Sequence, residues 1–154
     1  MAGPMLGDAE RALLEGARTA TLATIASDGR PRLVPVCFVV ERTAAAEPTL
    51  WTPIDEKPKR SAEPRELERV RDIVSDPRVT LLVDRWDEDW SRLGWLRLDG
   101  RAMLVDPGAD RDARDRAIGM LRAKYPQYAG HRLEALPLIR IGIERIRSWG
   151  QLSD

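Results

Sequence analysis

The run from Arg32 to Val40 constrains this chain more than any other segment, because it is apolar on both faces. Side chains alternate along a strand, so Leu33, Cys37 and Val39 point one way and Val34, Val36, Phe38 and Val40 the other. A strand with no wet face lies inside a barrel that is covered outside, or at a subunit interface. The chain enters this run through Ser27-Asp28-Gly29, and Asp-Gly is a strong hairpin signal. The preceding segment, Thr19 to Ile25, is β-branched and alternating, so the two runs read as an antiparallel hairpin.

Other segments follow the same logic. Asp8 is expected to cap a first helix that runs through Arg18, with Leu13, Leu14 and Ala17 inward. Leu50 to Ile54 reads as a short strand that ends at Asp55-Glu56-Lys57-Pro58. Pro53 donates no hydrogen bond, which puts this strand at an edge or ends it there. A helix is predicted over Pro64 to Asp76, where Asp76-Pro77 stops it. Strands are predicted over Arg78 to Asp84 and Leu93 to Val105, with Gly100 marking a bulge or tight bend. A third helix covers Asp110 to Lys124, with Ala113, Ala117, Met120 and Leu121 inward. In the last strand, Leu138 to Trp149, Ile139, Ile141 and Ile143 share a face, but the next large apolar residue is Ile146. That one-residue slip predicts a β-bulge near Glu144-Arg145. Six strands and three helices without βαβ alternation give a mainly β (α+β) class, a small antiparallel barrel with flanking helices.

At 154 residues the chain is expected to form one domain, residues 1–154. Its formal net charge is +0, so no global basic field points to nucleic acid, and any anion site must be a local cluster. The single Cys37 cannot form an internal disulfide. No basic-then-apolar leader and no apolar run near the ~20 residues of a membrane span are present. Together these predict a cytoplasmic protein without membrane partners.

One local cluster stands out. The basic residues are nearly all arginine, yet two of the three lysines fall in Lys57-Pro58-Lys59-Arg60-Ser61. The cluster follows a strand and is expected to precede a helix start near Ser61, an arrangement suited to an anion. Taken alone it reads equally well as a solvated charged turn. Trp86 and Trp90 sit in the charged segment Asp84 to Trp90, either closing over a ligand or interface or folded back on the barrel. The acids of that segment lack calcium-loop spacing and a histidine neighbour, so no metal is expected. His131 is the only histidine, and Cys37 lies on a buried-looking strand, so neither makes a case for catalysis. With no nucleophile elbow, Walker loop or dinucleotide fingerprint, any chemistry is expected to belong to a cofactor.

Ala23-Thr24-Ile25, Asp28-Gly29-Arg30-Pro31 and Val34-Pro35-Val36-Cys37-Phe38 resemble the opening hairpin of the pyridoxamine-phosphate-oxidase-like split-barrel family. Trp51-Thr52-Pro53-Ile54-Asp55 with Lys57-Pro58-Lys59-Arg60 resembles its phosphate-binding segment. Asp84 to Trp90, Trp95-Leu96-Arg97 and Ile146 to Gly150 are similar to the deazaflavin (coenzyme F420) branch. The resemblance runs from about Thr19 to Gly150. It implies a six-stranded split β-barrel homodimer of the FMN-binding type, with cofactor sites at the subunit interface. Lys57, Lys59, Arg60 and Ser61 would hold the cofactor phosphate. The ring would lie near Val34, Pro35 and Val36 and along Thr52, Pro53 and Ile54, with Trp149 supplied by the partner subunit. The implied activity is hydride transfer between reduced F420 and a small unsaturated or carbonyl substrate. The same fold with FMN, or a non-enzymatic flavin, haem or tetrapyrrole binder, are the alternatives. The acidic F420 tail would need a basic surface, for which Arg30 and Arg32 are candidates.

Overall fold

A computed structural model describes residues 3–41, 47–54 and 67–154. Its elements in chain order are α1 (Asp8–Gly16), β1 (Ala20–Ile25), β2 (Pro31–Val36), β3 (Val39–Val40), β4 (Thr49–Pro53), α2 (Glu68–Ser75), β5 (Arg78–Arg85), β6 (Gly94–Val105), α3 (Arg111–Lys124) and β7 (Leu138–Gly150). The strands form one antiparallel sheet in the order β2-β1-β5-β6-β7-β4-β3. The class is mainly β with flanking helices, as expected, but seven strands replace the predicted six.

The extra strand comes from the run that is apolar on both faces. Arg32 to Val40 is not one strand but two, β2 and β3, and they occupy opposite edges of the sheet. Only Cys37 and Phe38 separate them. Three residue steps span at most about 11 Å, so the sheet must curl until its two edges nearly meet. The Tyr125 hydroxyl holds this crossover. It accepts from the Phe38 N–H (3.0 Å) and lies within donating distance of the carbonyls of Arg18 (2.9 Å) and Phe38 (3.1 Å). Phe38 thus loses its ladder partners without leaving its backbone groups unsatisfied.

The curl encloses a core built from both halves of the chain, including Leu22, Val36, Phe38, Leu50, Ile54, Leu81, Leu96, Ile139 and Ile141. A second cluster lies between the sheet and α3, where Val39, Trp51 and Leu138 meet Ala117, Ile118 and Leu121. The two apolar faces of the long run are therefore explained differently along its length. α3 covers the β3 half, while Leu33 on β2 is 65% exposed.

The bulge lies where the apolar phase slip puts it. Asp99 pairs with Arg145 but Gly100 pairs with Ile143, which leaves Glu144 as the extra residue. A Cβ at Gly100 would collide with the Gly142 carbonyl, so glycine is required at this approach. Two helix starts differ from expectation. Gly7, not Asp8, stands at the cap of α1, and Asp8 lies in the first turn, where its charge complements the dipole. That helix ends at Gly16, with Ala17 already extended. Leu67 is extended as well, so α2 begins at Glu68 rather than Pro64. On α3 the inward face carries Arg114, whose guanidinium donates to the carbonyls of Val105 (2.8 Å) and Leu136 (3.0 Å).

Candidate functional site

The two edges of the sheet come close at the Cys37-Phe38 crossover, and the described site residues predicted from sequence, Trp149 apart, lie on β2 and at the end of β4. Val36 ends β2 and Thr52-Pro53 ends β4. Beyond the pairing of Val39 with Trp51, β3 contributes no ladder to Thr52 or Pro53. Val36 and Ile54 belong to the same core cluster, and Val34 packs against it. The side chains of Val36, Thr52, Pro53 and Ile54 are buried, whereas Pro35 is exposed. A flat ring along these residues would therefore meet Pro35 and open backbone edges more than apolar side chains. β2 is an edge strand, so half of its backbone groups have no sheet partner.

Thr52 is 1% exposed, and its hydroxyl has no hydrogen-bond partner. Nor does the indole N–H of Trp51, although the Arg140 guanidinium carbon stands 5.4 Å from its ring centroid. A buried hydroxyl left unpaired costs roughly 1–3 kcal/mol. Five residues after Thr52 comes Lys57. Lys57, Lys59, Arg60 and Ser61 all lie outside the described residues. The helix start expected beside Ser61 is not that of α2, which begins at Glu68.

The residues that sequence reasoning grouped are not all near one another within one chain. Trp149 on β7 pairs with Trp95 on β6, and both lie on the outer face. β7 is four strands away from β2, about 19 Å along the sheet at ~4.8 Å per strand. Trp149 is 55% exposed and faces outward. On the same face, Pro35, Thr21, Leu82, Arg97 and Arg147 form one cross-strand row. Leu33 leads the next row, and Leu82 is 40% exposed.

Arg32 is not available for an acidic tail. Its Nε donates to Asp72 (2.7 Å) and a terminal nitrogen to Glu68 (2.8 Å). Thr24 donates to the same Asp72 oxygen at 2.7 Å, and Asp72 is 6% exposed. The hydrogen bond to Asp72 raises the Arg32 pKa, so this cation stays charged and committed to α2. Arg30 faces only Asp28, at 3.8 Å. Periodicity missed this buried network, although Asp72 one position before Ile73 on the inner helix face was a visible anomaly.

Near the crossover, the Lys124 amine donates to the Leu14 carbonyl (3.2 Å) and stands 3.9 Å from the Phe38 ring centroid. Burial, helped by Arg18, pushes its pKa down to about 8. Burial likewise raises that of Tyr125. Among the described residues no group of three His, Cys, Asp or Glu side chains is placed to hold a metal ion, and no helix is long and apolar enough to cross a membrane.

The sequence matches the family model for pyridoxamine 5'-phosphate oxidase over residues 6–150. Among solved structures, a conserved hypothetical protein of Mycobacterium tuberculosis, Rv2991, is similar at TM-score 0.69 and 24% identity, covering 97% of this chain and 88% of that one. An FAD-binding protein of Mesorhizobium loti is similar at TM-score 0.58 and 24% identity, over 89% and 87%. HutZ, the heme storage protein of Vibrio cholerae, is similar at TM-score 0.62 and 14% identity, over 90% and 89%. These likenesses are of fold.

Proposed function

The chain belongs to the pyridoxamine 5'-phosphate oxidase family, and from that membership we propose that it is a cytoplasmic, homodimeric oxidoreductase with a flavin-type cofactor, coenzyme F420. Lys57, Lys59, Arg60 and Ser61 hold the cofactor phosphate. Val34, Pro35, Val36, Thr52, Pro53 and Ile54 form the seam along which the ring lies. Trp149 of the partner subunit closes the site. When bound in its reduced form, the cofactor supplies a hydride to a small unsaturated or carbonyl substrate. The protein's own part is orientation and exclusion of water.

The observation that carries this reading is Thr52. Its buried hydroxyl has no partner at the end of β4, directly before the basic segment. A polar cofactor edge would satisfy it. The FAD-binding protein of Mesorhizobium loti, similar across most of this chain, supports a flavin-type ligand on this fold. The exposed face carrying Leu33, Pro35 and Leu82 supports a second subunit, since it supplies apolar surface outside either core cluster.

The test is a titration of the protein with F420 and with FMN, followed by tryptophan fluorescence. F420 is expected to bind more tightly. The double variant Lys57→Ala, Lys59→Ala is expected to weaken binding tenfold or more with little change in thermal midpoint, since exposed charges contribute little to folding. Micromolar FMN binding with no response to F420 would overturn the choice of cofactor. Unchanged affinity in the folded double variant would overturn the phosphate assignment.

A further inference from the structure

A cleft of about 510 Å³ opens beside the crossover, and Thr52 is not among the described residues that line it. Arg18, Thr19, Cys37, Tyr125, Gln127, Tyr128 and His131 line it. The walls are mostly carbon. The two tyrosine rings meet edge to face, with centroids 5.6 Å apart at 65°, and Tyr128 meets the His131 ring in the same manner at 5.4 Å. Both tyrosines are almost fully buried, so these walls are fixed rather than mobile.

Among the described residues that line this cleft there is a guanidinium and no carboxylate. The Arg18 guanidinium lies 4.8 Å from the Tyr125 ring centroid, and one of its nitrogens donates to the Lys124 carbonyl at 2.7 Å. That hydrogen bond and ring contact hold Arg18 in place without neutralising it. Lys124 adds a second cation behind Tyr125, 5.4 Å from its ring centroid, with Cys37 and Glu15 as the acids acting on it. A volume within the 300–1,000 Å³ of small-molecule sites, aromatic walls and a fixed guanidinium at the rim together select a ligand with a flat apolar body and one anionic end.

We propose that this cleft is a second small-molecule site, which takes a flat aromatic carboxylate with its ring over Cys37, beside the edges of Tyr125 and Tyr128, and its carboxylate on Arg18. The site uses none of the residues assigned to the cofactor, so it stands whether that ligand is F420, FMN or neither. Neutral aromatic molecules of the same shape lose the charged hydrogen bond and are discriminated against. Phosphates without a ring lose the walls.

The probe is 2-naphthoate, with 2-naphthamide as its neutral counterpart, in calorimetric titrations of the full chain. The acid is expected to bind at least tenfold more tightly than the amide, the difference a charged hydrogen bond supplies. Arg18→Gln is expected to reduce affinity for the acid tenfold or more and leave that for the amide nearly unchanged. Because Arg18 also bonds the end of α3, the exposed Gln127→Glu serves as a second variant. It puts a carboxylate at the rim without touching the fold and is expected to weaken the acid alone. Cys37 is the chain's single thiol, so 2-naphthoate should also slow its alkylation by iodoacetamide. Equal binding of acid and amide, or no binding of the acid at millimolar concentration, would overturn the proposal. So would loss of the acid in the Lys57→Ala, Lys59→Ala variant with retention in Arg18→Gln and Gln127→Glu.

Discussion

Two buried cations show how a residue's surroundings can run against its type. Arg114 is 3% exposed, and its guanidinium donates to the carbonyl oxygens of Val105 and Leu136. The sequence contained the signal, because Arg114, Ala117, Ile118 and Leu121 recur at helical spacing on the buried face of α3. Residue type hid it, since arginine on a periodic face ordinarily reads as solvent-facing. Lys124 is half-buried, and its pKa falls from 10.5 to about 8 because burial penalises the ammonium. The unfolded chain therefore binds the proton more tightly than the folded one between pH 8 and 10.5. Stability from this group is lowest below pH 8 and rises as pH climbs through that window. With the shift discounted by about half for solvent screening, the gain is roughly 1–2 kcal/mol. Lys124→Met removes the titration. Relative to this variant, the thermal midpoint of the wild type is expected to rise between pH 7.5 and 10. A difference that stays constant or falls would contradict the assignment.

At the scale of elements, most boundaries were legible in the hydrophobic period, and the misses share one cause. The bulge at Glu144 was visible because a phase slip is local information. The division of Arg32–Val40 into β2 and β3 was not, because every residue of the run favours extended backbone and the break is imposed by a distant partner. That partner is Tyr125, 87 residues on from Phe38, whose hydroxyl accepts from the Phe38 N–H and lies within donating distance of the Phe38 and Arg18 carbonyls. The late start of α2 has a similar origin. Leu67 is extended and packs against the main core, a contact that no period over Pro64 to Asp76 reveals. Tyr125→Phe keeps the ring but removes the hydroxyl, leaving the Phe38 N–H unpaired at the crossover. It is expected to lower unfolding free energy by about 1–3 kcal/mol, read from urea denaturation. Wild-type stability in this variant would mean that the crossover does not depend on the hydroxyl.

For the whole molecule, the sequence grouped site residues that one chain holds only partly near one another, and Lys57, Lys59, Arg60 and Ser61 lie outside the described residues. Sequence reasoning grouped Val34–Val36 with Thr52–Ile54, and Val36 and Ile54 share the main core cluster while Val34 packs against it. It also implied a role for Trp149, which one chain holds four strands away from β2. On the proposed reading, Trp149 reaches the site from a second copy. The surface suited to such a copy is the outer row Pro35, Thr21 and Leu82 with Leu33 beside it, bordered by Arg97 and Arg147. An aliphatic strip with a cationic rim matches the usual arrangement of an interface core and its wet border. The double variant Leu33→Glu, Leu82→Glu puts two carboxylates into that strip and leaves both core clusters untouched, since neither residue belongs to them. Sedimentation equilibrium is expected to show a dimer for the wild type and dissociation at least about a hundredfold weaker in affinity, about 2.7 kcal/mol, for the variant. If the partner's Trp149 closes the site as proposed, cofactor affinity should fall along with dimerisation. A wild-type chain that stays monomeric while binding cofactor at full affinity would sink both the interface and the role of Trp149. A variant that stays dimeric would place the interface elsewhere on the molecule.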